Sequence, residues 1–255
     1  MTDAEKKRER ELKSEVAEWL RTGRDTFPVR YAHVLDTDPR LWQYISANID
    51  HPEGHNLYEL LAIRRFFEMA DRHGWNAKRV RKFIKFYELV PLSGTTGRRT
   101  YKLTPVQTFQ FANIFGFVDS KGRRLIRNAY LFVPRKFSKT TSVAVLGVFD
   151  LLFGDNNAQA YIGANSYNQA KICFDEIRAI MRTLDPTGRH FRINRENITV
   201  KSGKRDSLIQ CLTANARTLD GDIQILRLFP LIDHRADGRG GGRRCGRRLS
   251  RTAAC

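Results

Sequence analysis

Cysteine is scarce in this chain: Cys173, Cys211, Cys245 and Cys255 are the four, with no Cys-x-x-Cys pair and no histidines at ligand spacing. A zinc site and a disulfide framework are therefore not expected, and free thiols of a reducing compartment are. Long apolar runs are missing too. No stretch of 18 apolar residues occurs, and the N-terminus, Met1-Thr-Asp-Ala-Glu-Lys-Lys-Arg8, is dominated by charge. Neither a membrane span nor a secretory leader fits that pattern. Negative charge is in short supply, with 27 Asp and Glu against 45 Lys and Arg, a net charge of +18. Residues 235–255 hold seven arginines and one aspartate, one third of the net charge, so the remainder is still +12. Basic clusters recur at Lys78-Arg79-Val80-Arg81-Lys82, Arg98-Arg99 and Arg123-Arg124. Nucleic acid is the polyanion such a surface suits best, the plain alternative being a basic solvated face.

What is present is an ordinary globular core composition, 41% hydrophobic and 28% charged over 255 residues, enough for one or two domains. No internal repeat is visible. Residues 1–100 read as almost wholly helical. A charged helix spans 3–21, with Leu12, Val16, Trp19 and Leu20 on one side. Asn56 is placed to cap a helix from Leu57 to His73, terminated by Gly74, with Leu57, Leu60, Leu61 and Phe67 inward. A third helix, Asn76 to Leu89, has Val80, Ile84 and Tyr87 on one stripe and five basic residues elsewhere. Pro91, Gly94 and Gly97 mark a linker.

Beyond it, Leu103-Thr-Pro-Val-Gln107 opens a helix with proline in the first turn. The segment Ala129-Tyr-Leu-Phe-Val-Pro-Arg-Lys-Phe-Ser-Lys-Thr-Thr141 then reads as strand, tight basic loop and helix start. That order suits a phosphate-binding loop, because backbone N–H groups at the loop and helix N-terminus converge on an anion. The pattern is Gly-x-x-x-x-Gly-Lys-Ser/Thr, and Val133 and Ser138 stand at its glycine positions. Ser138 is small enough for a phosphate to approach but lacks glycine's freedom at positive φ. Lys139 would reach the β- and γ-phosphates of a nucleotide and Thr140 would ligate Mg²⁺. The bland alternative is an amphipathic helix with threonine at its start. A mainly apolar helix follows over Ser142 to Phe153, Gly154-Asp-Asn-Asn157 ends it, and Ala158 to Gly163 is the next strand, a βαβ unit. Asn168 to Leu184 is a helix with Ala170, Ile172, Cys173, Phe174, Ile177, Ile180 and Met181 buried, stopped by Asp185-Pro-Thr-Gly188. Asn197 to Leu212 reads as a hairpin turning at Ser202-Gly203, and Thr218-Leu-Asp-Gly221 as a turn.

Taken together, residues 101–222 resemble the ATPase domain of the large terminase subunit of tailed phages, which drives DNA into preformed capsids. The likeness lies in Leu103-Thr-Pro-Val-Gln107 before Asn113-Ile-Phe-Gly116, in Val133 to Thr141, in Gln169-Ala-Lys171 and in Thr218-Leu-Asp-Gly221. It implies a P-loop NTPase-like α/β fold, a mainly parallel sheet with flanking helices, over residues 101–234. The all-helical region 1–100 would precede it. It implies ATP and Mg²⁺ as cofactors, and Arg135, Lys136, Ser138, Lys139, Thr140, Thr141 and Gln107 as the nucleotide-binding set. Arg135 would sense the γ-phosphate and Gln107 would read adenine, its amide both donating and accepting. Double-stranded DNA, a portal protein, a small terminase subunit and a homo-oligomeric ring are the implied partners, in the cytoplasm of a bacterial host.

The resemblance breaks after the Leu-Asp-Gly turn. The family has an apolar strand ending Asp-Glu, for Mg²⁺ and for activating water. Here Ile225-Leu-Arg-Leu-Phe-Pro-Leu-Ile-Asp233-His234 takes its place. Asp233 is a candidate metal-side carboxylate, or only a tail residue; no glutamate follows, and Arg227 and Pro230 suit a central strand badly. Residues 235–255 are Arg/Gly-rich and expected to be disordered. A frameshifted reading of GC-rich DNA accounts for them better than an RNA- or single-strand-binding tail. The family's nuclease half is not found. The expected function is thus the ATP-binding part of a packaging terminase, truncated and catalytically impaired. The alternative is a non-enzymatic nucleic-acid-binding protein using the basic helix and the Arg/Gly tail. A helicase is disfavoured by the missing Asp-Glu strand.

Overall fold

The computed structural model describes residues 2–91, 100–129, 137–154, 159–164, 167–201, 207–213 and 225–229. The N-terminal part is helical: α1 (Asp3–Gly23), the short α2 (Phe27–Arg30) and α3 (Ala32–Leu35), α4 (Pro39–Asp50), a 3-10 turn at Pro52–Gly54, and α5 (Leu57–Arg72). Their starts are set by local chemistry. Thr2 and Asn56 each accept from the third helical N–H while Glu5 and Glu59 reach back to the cap's own N–H, closing a capping box at both sites. Asp38 caps α4, with Pro39 in the first turn.

α5 ends at Arg72, and Gly74 does not terminate it by a left-handed turn. Gly74 and Trp75 instead form a two-residue strand, β1 (Gly74–Trp75), antiparallel to β2 (Phe117–Val118). Between them run α6 (Ala77–Leu89), capped by Asn76, and α7 (Pro105–Gly116), capped by Thr104. Gly116 lies flat on Trp75: a Cβ there would sit 2.1 Å from Cζ3 of that ring. The Trp75 indole N–H donates to Thr37 Oγ1 at 2.9 Å, so the ring has no slack.

The core of this layer is aromatic. Phe66 meets Phe67, Trp75, Phe109 and Phe117, and Phe83 meets Tyr87, Phe111, Phe115 and Phe149. Phe149 belongs to α8 (Lys139–Phe153), so buried side chains run without a break from the helical region into the following part.

That part is a sheet covered by helices. Its strands are β3 (Gln159–Ala164), β4 (Phe191–Ile193), β5 (Asn197–Val200), β6 (Leu208–Thr213) and β7 (Ile225–Phe229), in the order β4-β5-β6-β3-β7. β3 and β6 are parallel, with α9 (Tyr167–Leu184), β4 and β5 between them in the chain; the other three pairings are antiparallel. Among the described strands the sheet is therefore mixed rather than mainly parallel. The meander β4-β5-β6 brings its own antiparallel register, and the expected first strand over 129–133 lies almost wholly outside the described residues. The expected hairpin of 197–212 is β5 paired with β6.

α9 buries Ala170, Cys173, Phe174, Ile177, Ile180 and Met181, whereas Ile172 is 61% exposed. The reason is geometric: at 100° per residue Ile172 falls off the stripe drawn by the other six. Asp185 ends α9. Burial opposes its charge, but backbone N–H groups of His190, Phe191 and Arg189 outweigh that and hold its carboxyl below the usual carboxylate range. Among the described residues no helix is long and apolar enough to cross a membrane.

Candidate nucleotide-binding site

α8 starts abruptly. Ser138, the residue before it, has φ 57° and ψ 29°, and is the one non-glycine residue of positive φ among those described. This is the position where the phosphate-loop pattern carries glycine. A Cβ in that conformation costs about 1–2 kcal/mol, so something else must favour it. At an ordinary N-cap the serine oxygen would accept from the second or third helical N–H. Ser138 makes no such bond; its Oγ donates to the Tyr101 hydroxyl at 3.3 Å. The internal ladder begins with Ser142 N–H donating to Ser138 O at 2.9 Å. The first N–H groups of this 15-residue helix thus lack a side-chain cap. With the positive end of the helix dipole they form the environment an anionic oxygen prefers. Lys139, Thr140 and Thr141 occupy that first turn, each partly buried.

Gln107 is 3% exposed, and its amide is engaged internally. As third residue of α7 it closes a capping box: its Oε1 accepts from Thr104 N–H and from Thr104 Oγ1, both at 3.0 Å. Its Nε2 lies 3.0 Å from the Tyr101 hydroxyl oxygen. Tyr101 therefore stands between Gln107 and Ser138 and brings the two ends of the predicted site into one hydrogen-bonded cluster. The oxygen that would accept from adenine's amino group already has donors, and the second Nε2 hydrogen remains for a ring-nitrogen acceptor.

The helical region reaches this cluster directly. Tyr87 of α6 and Ser142 of α8 share a buried hydrogen bond of 2.9 Å, and burial pushes the Tyr87 phenol up to about 12. The Tyr87 and Tyr101 rings lie 5.6 Å apart. Just after Tyr101, the chain is strapped down by Arg40, whose guanidinium bonds Asp38, Glu88 and the carbonyl of Leu103. Glu88 also accepts from Leu103 N–H at 3.2 Å. On the far side of α8, Cys173 of α9 approaches the Thr140 carbonyl at 4.0 Å. Burial pushes that thiol up to about 12, so it packs as a neutral side chain. Cys173 and Cys211 are both free thiols.

Of the predicted site residues, Gln107, Ser138, Lys139, Thr140 and Thr141 come together at this end of α8. Arg135, Lys136 and Asp233 lie outside the described residues, as do the turn at Thr218–Gly221 and the tail. The strand expected to lead toward a metal carboxylate is β7. It runs antiparallel to β3, with Ile225 opposite Gly163 and Phe229 opposite Gln159. α8 ends a short connection before Gln159, so Phe229 lies at the edge of the sheet away from Lys139. A parallel strand would have ended on the same edge as the loop. Among the described residues no group of three or more His, Cys, Asp or Glu is arranged so as to hold a metal ion.

Tyr101, Tyr87 and Ser142 were not legible as site residues. Tyr101 sits where the sequence shows only the end of a Gly-containing linker, and no periodicity marks it. Ser142 is legible as the fourth residue of a Lys-Thr-Thr-Ser helix start, but its partner is 55 residues away.

No curated protein and no solved structure matches the chain. Residues 105–229 match the family model described as Terminase large subunit, ATPase domain. That span opens at the first residue of α7 and closes at the last residue of β7, and it contains both Gln107 and the uncapped start of α8. Residues 105–229 of the chain thus belong to the terminase large subunit ATPase-domain family.

Proposed function

We propose that this chain binds Mg·ATP at the start of α8 as part of a phage DNA-packaging ATPase, and that by itself it turns ATP over slowly or not at all. The observation carrying the binding is Ser138: a left-handed residue with its side chain turned away from the helix, directly before Lys139. It leaves the first N–H groups of α8 without a side-chain cap, at the place where the phosphates of a nucleotide sit in a phosphate loop. Those N–H groups would donate to the phosphate oxygens, Lys139 would neutralise the β- and γ-phosphates, and Thr140 would offer its hydroxyl to Mg²⁺. Arg135 and Lys136 would complete the loop, and Gln107 would orient the base through the one amide hydrogen left to it. Bound Mg·ATP supplies a phosphoanhydride whose hydrolysis drives DNA movement in this family.

The direction of β7 supports the impairment. β7 runs antiparallel to β3, so Phe229 ends at the edge of the sheet away from Lys139, and the family match ends at that residue. Double-stranded DNA, a portal protein, a small terminase subunit and a ring of copies are the partners the family suggests, in a bacterial host's cytoplasm.

Calorimetric titration of the full chain with Mg·ATP tests this. Lys139→Ala should weaken binding roughly 10- to 100-fold, the scale of a charge-assisted contact of about 1.5–3 kcal/mol. Equal binding by the variant would overturn the site. Phosphate release at motor rates by the chain alone would overturn the impairment.

One observation favours a second reading: Lys78, Arg81, Lys82 and Lys85 are all exposed on α6. A nucleic-acid-binding role would show as steeply salt-dependent, sequence-indifferent binding that Lys139→Ala leaves intact. Two of those cations are already engaged, Arg81 with the Thr37 and Asp36 carbonyls and Lys82 over the Phe153 ring at 3.8 Å. The ATP reading therefore has the stronger support.

A further inference from the structure

We infer that Tyr101 is a positioning residue that substitutes for the missing glycine of the phosphate loop, holding Ser138 left-handed and tying it to Gln107. The inference rests on the proposed nucleotide site for its consequence, but its geometry stands independently.

A left-handed serine is unfavourable unless its side chain finds a partner that rewards that conformation. The partner here is the Tyr101 hydroxyl, 3.3 Å from Ser138 Oγ. Nothing in Ser138's own helix competes for it, since the cap bond is absent. The same hydroxyl lies 3.0 Å from Gln107 Nε2 and 3.1 Å from Gln107 Oε1. One hydroxyl has one proton to give and can accept from others. With Ser138 Oγ and Gln107 Nε2 donating to its oxygen, its own proton is left to complete the cluster.

Tyr101 is itself held in place. Its ring lies against Tyr87, which is fixed to Ser142 in the same first turn-and-a-half of α8. The backbone after it is fixed by Arg40 and Glu88 through Leu103. The hydroxyl is thus fixed from the helical region. A shift of the Gln107 amide on engaging a base changes what Tyr101 can offer Ser138, and hence the orientation of the N–H groups that follow it. Base recognition and phosphate grip become one cooperative unit in this chain, whereas a glycine loop would hold its shape without help.

The test is a pair of substitutions read two ways. Tyr101→Phe keeps the ring and removes the hydroxyl; Ser138→Gly removes the need for it. The first readout requires no nucleotide: amide hydrogen exchange at Ser142 and Val143, where the internal ladder of α8 begins. Tyr101→Phe should speed it about two- to tenfold, as loss of one hydrogen bond predicts, and Ser138→Gly should abolish that sensitivity. The second is Mg·ATP affinity, which should fall by a similar factor in Tyr101→Phe and return in the double variant. A merely structural tyrosine would weaken both backgrounds alike, and that result overturns the proposal. So does unchanged exchange in Tyr101→Phe. If the unaltered chain binds no Mg·ATP while the exchange coupling appears as expected, Tyr101 stands as the loop's anchor and the nucleotide reading falls.

Discussion

The helical layer and the sheet behind it are held together by different means. In residues 2–91 and 100–118 each long helix has a side-chain cap, and rings meet rings around Phe66 and Phe83. In the sheet the strands are short, one pairing of the four described is parallel, and β4 and β7 form its edges. The helical layer is over-determined, since losing a cap leaves the ring cluster and losing a ring leaves the caps. The sheet depends on non-local register, and its contact with the helical layer runs through α8. The proposed nucleotide site lies on that seam, built from the last residues of one part and the first helix of the other. Precision at the site is therefore lent by the better-built side.

Phe83→Ala should break the contrast most severely, because Phe83 joins α7 to α8 through Phe115 and Phe149 at 0% exposure. A loss of about 3–5 kcal/mol in urea unfolding is expected. A loss confined to the sheet's signals, with the helical layer unchanged, would show that the two parts unfold separately. Gly116→Ala should come next, at about 1–3 kcal/mol, because the added methyl meets the Trp75 ring at 2.1 Å and that ring is tethered to Thr37. Thermal melts read it directly, and an unchanged Tm would mean the ring moves aside.

Asn56→Ala tests the redundancy of the helical layer. It removes the side-chain half of a capping box, leaving Glu59 on the cap's own backbone N–H, and should cost about 1 kcal/mol without altering Mg·ATP affinity. Ser138→Gly should be nearly neutral, within about 0.5 kcal/mol, since relief of the left-handed strain is offset by the added chain entropy and the lost hydroxyl contact. The narrowest effect is one of pH. Asp185 has a depressed carboxyl in the folded chain, so its stabilisation is present above the ordinary aspartate value near about 3.9 and is lost as pH falls through the lower folded value. Asp185→Asn should flatten that acid limb, and the flattening should be visible in signals from β4 and α9.

Much of the helical layer was legible because its signals are local. Asn56 with Glu59, Asn76, and Thr104 with Pro105 announce helix starts within three residues of sequence. The hairpin of β5 and β6 was legible for the same reason, two alternating runs around a Gly-containing turn. What escaped notice depends on distance. The pairing of Gly74–Trp75 with Phe117–Val118 joins strands too short for any periodicity. The antiparallel course of β7 is set by which edge of β3 is open, which no pattern within Ile225–Phe229 encodes. At the site, Lys139 and Thr140 were legible from a motif and Gln107 from its place before it. The sequence placed Gln107 as a reader of adenine, yet its amide oxygen is held by Thr104, because the residue that suits a base edge also suits the third position of a capping box. Tyr101 has no motif of its own, and only the fold brings it between Gln107 and Ser138.

The buried bond between Tyr87 and Ser142 gives α6 a mechanical role. The inner face of this helix is fixed to α8 by that bond and by the contact of Phe83 with Phe149; its outer face carries exposed Lys78, Lys82 and Lys85. An α-helix with its side chains is only about 10–12 Å across. A charged polymer drawn along the outer face would therefore pull on a stiff strut, with no hinge between the point of load and the first turn of α8. Tension and nucleotide grip would be felt by the same few residues.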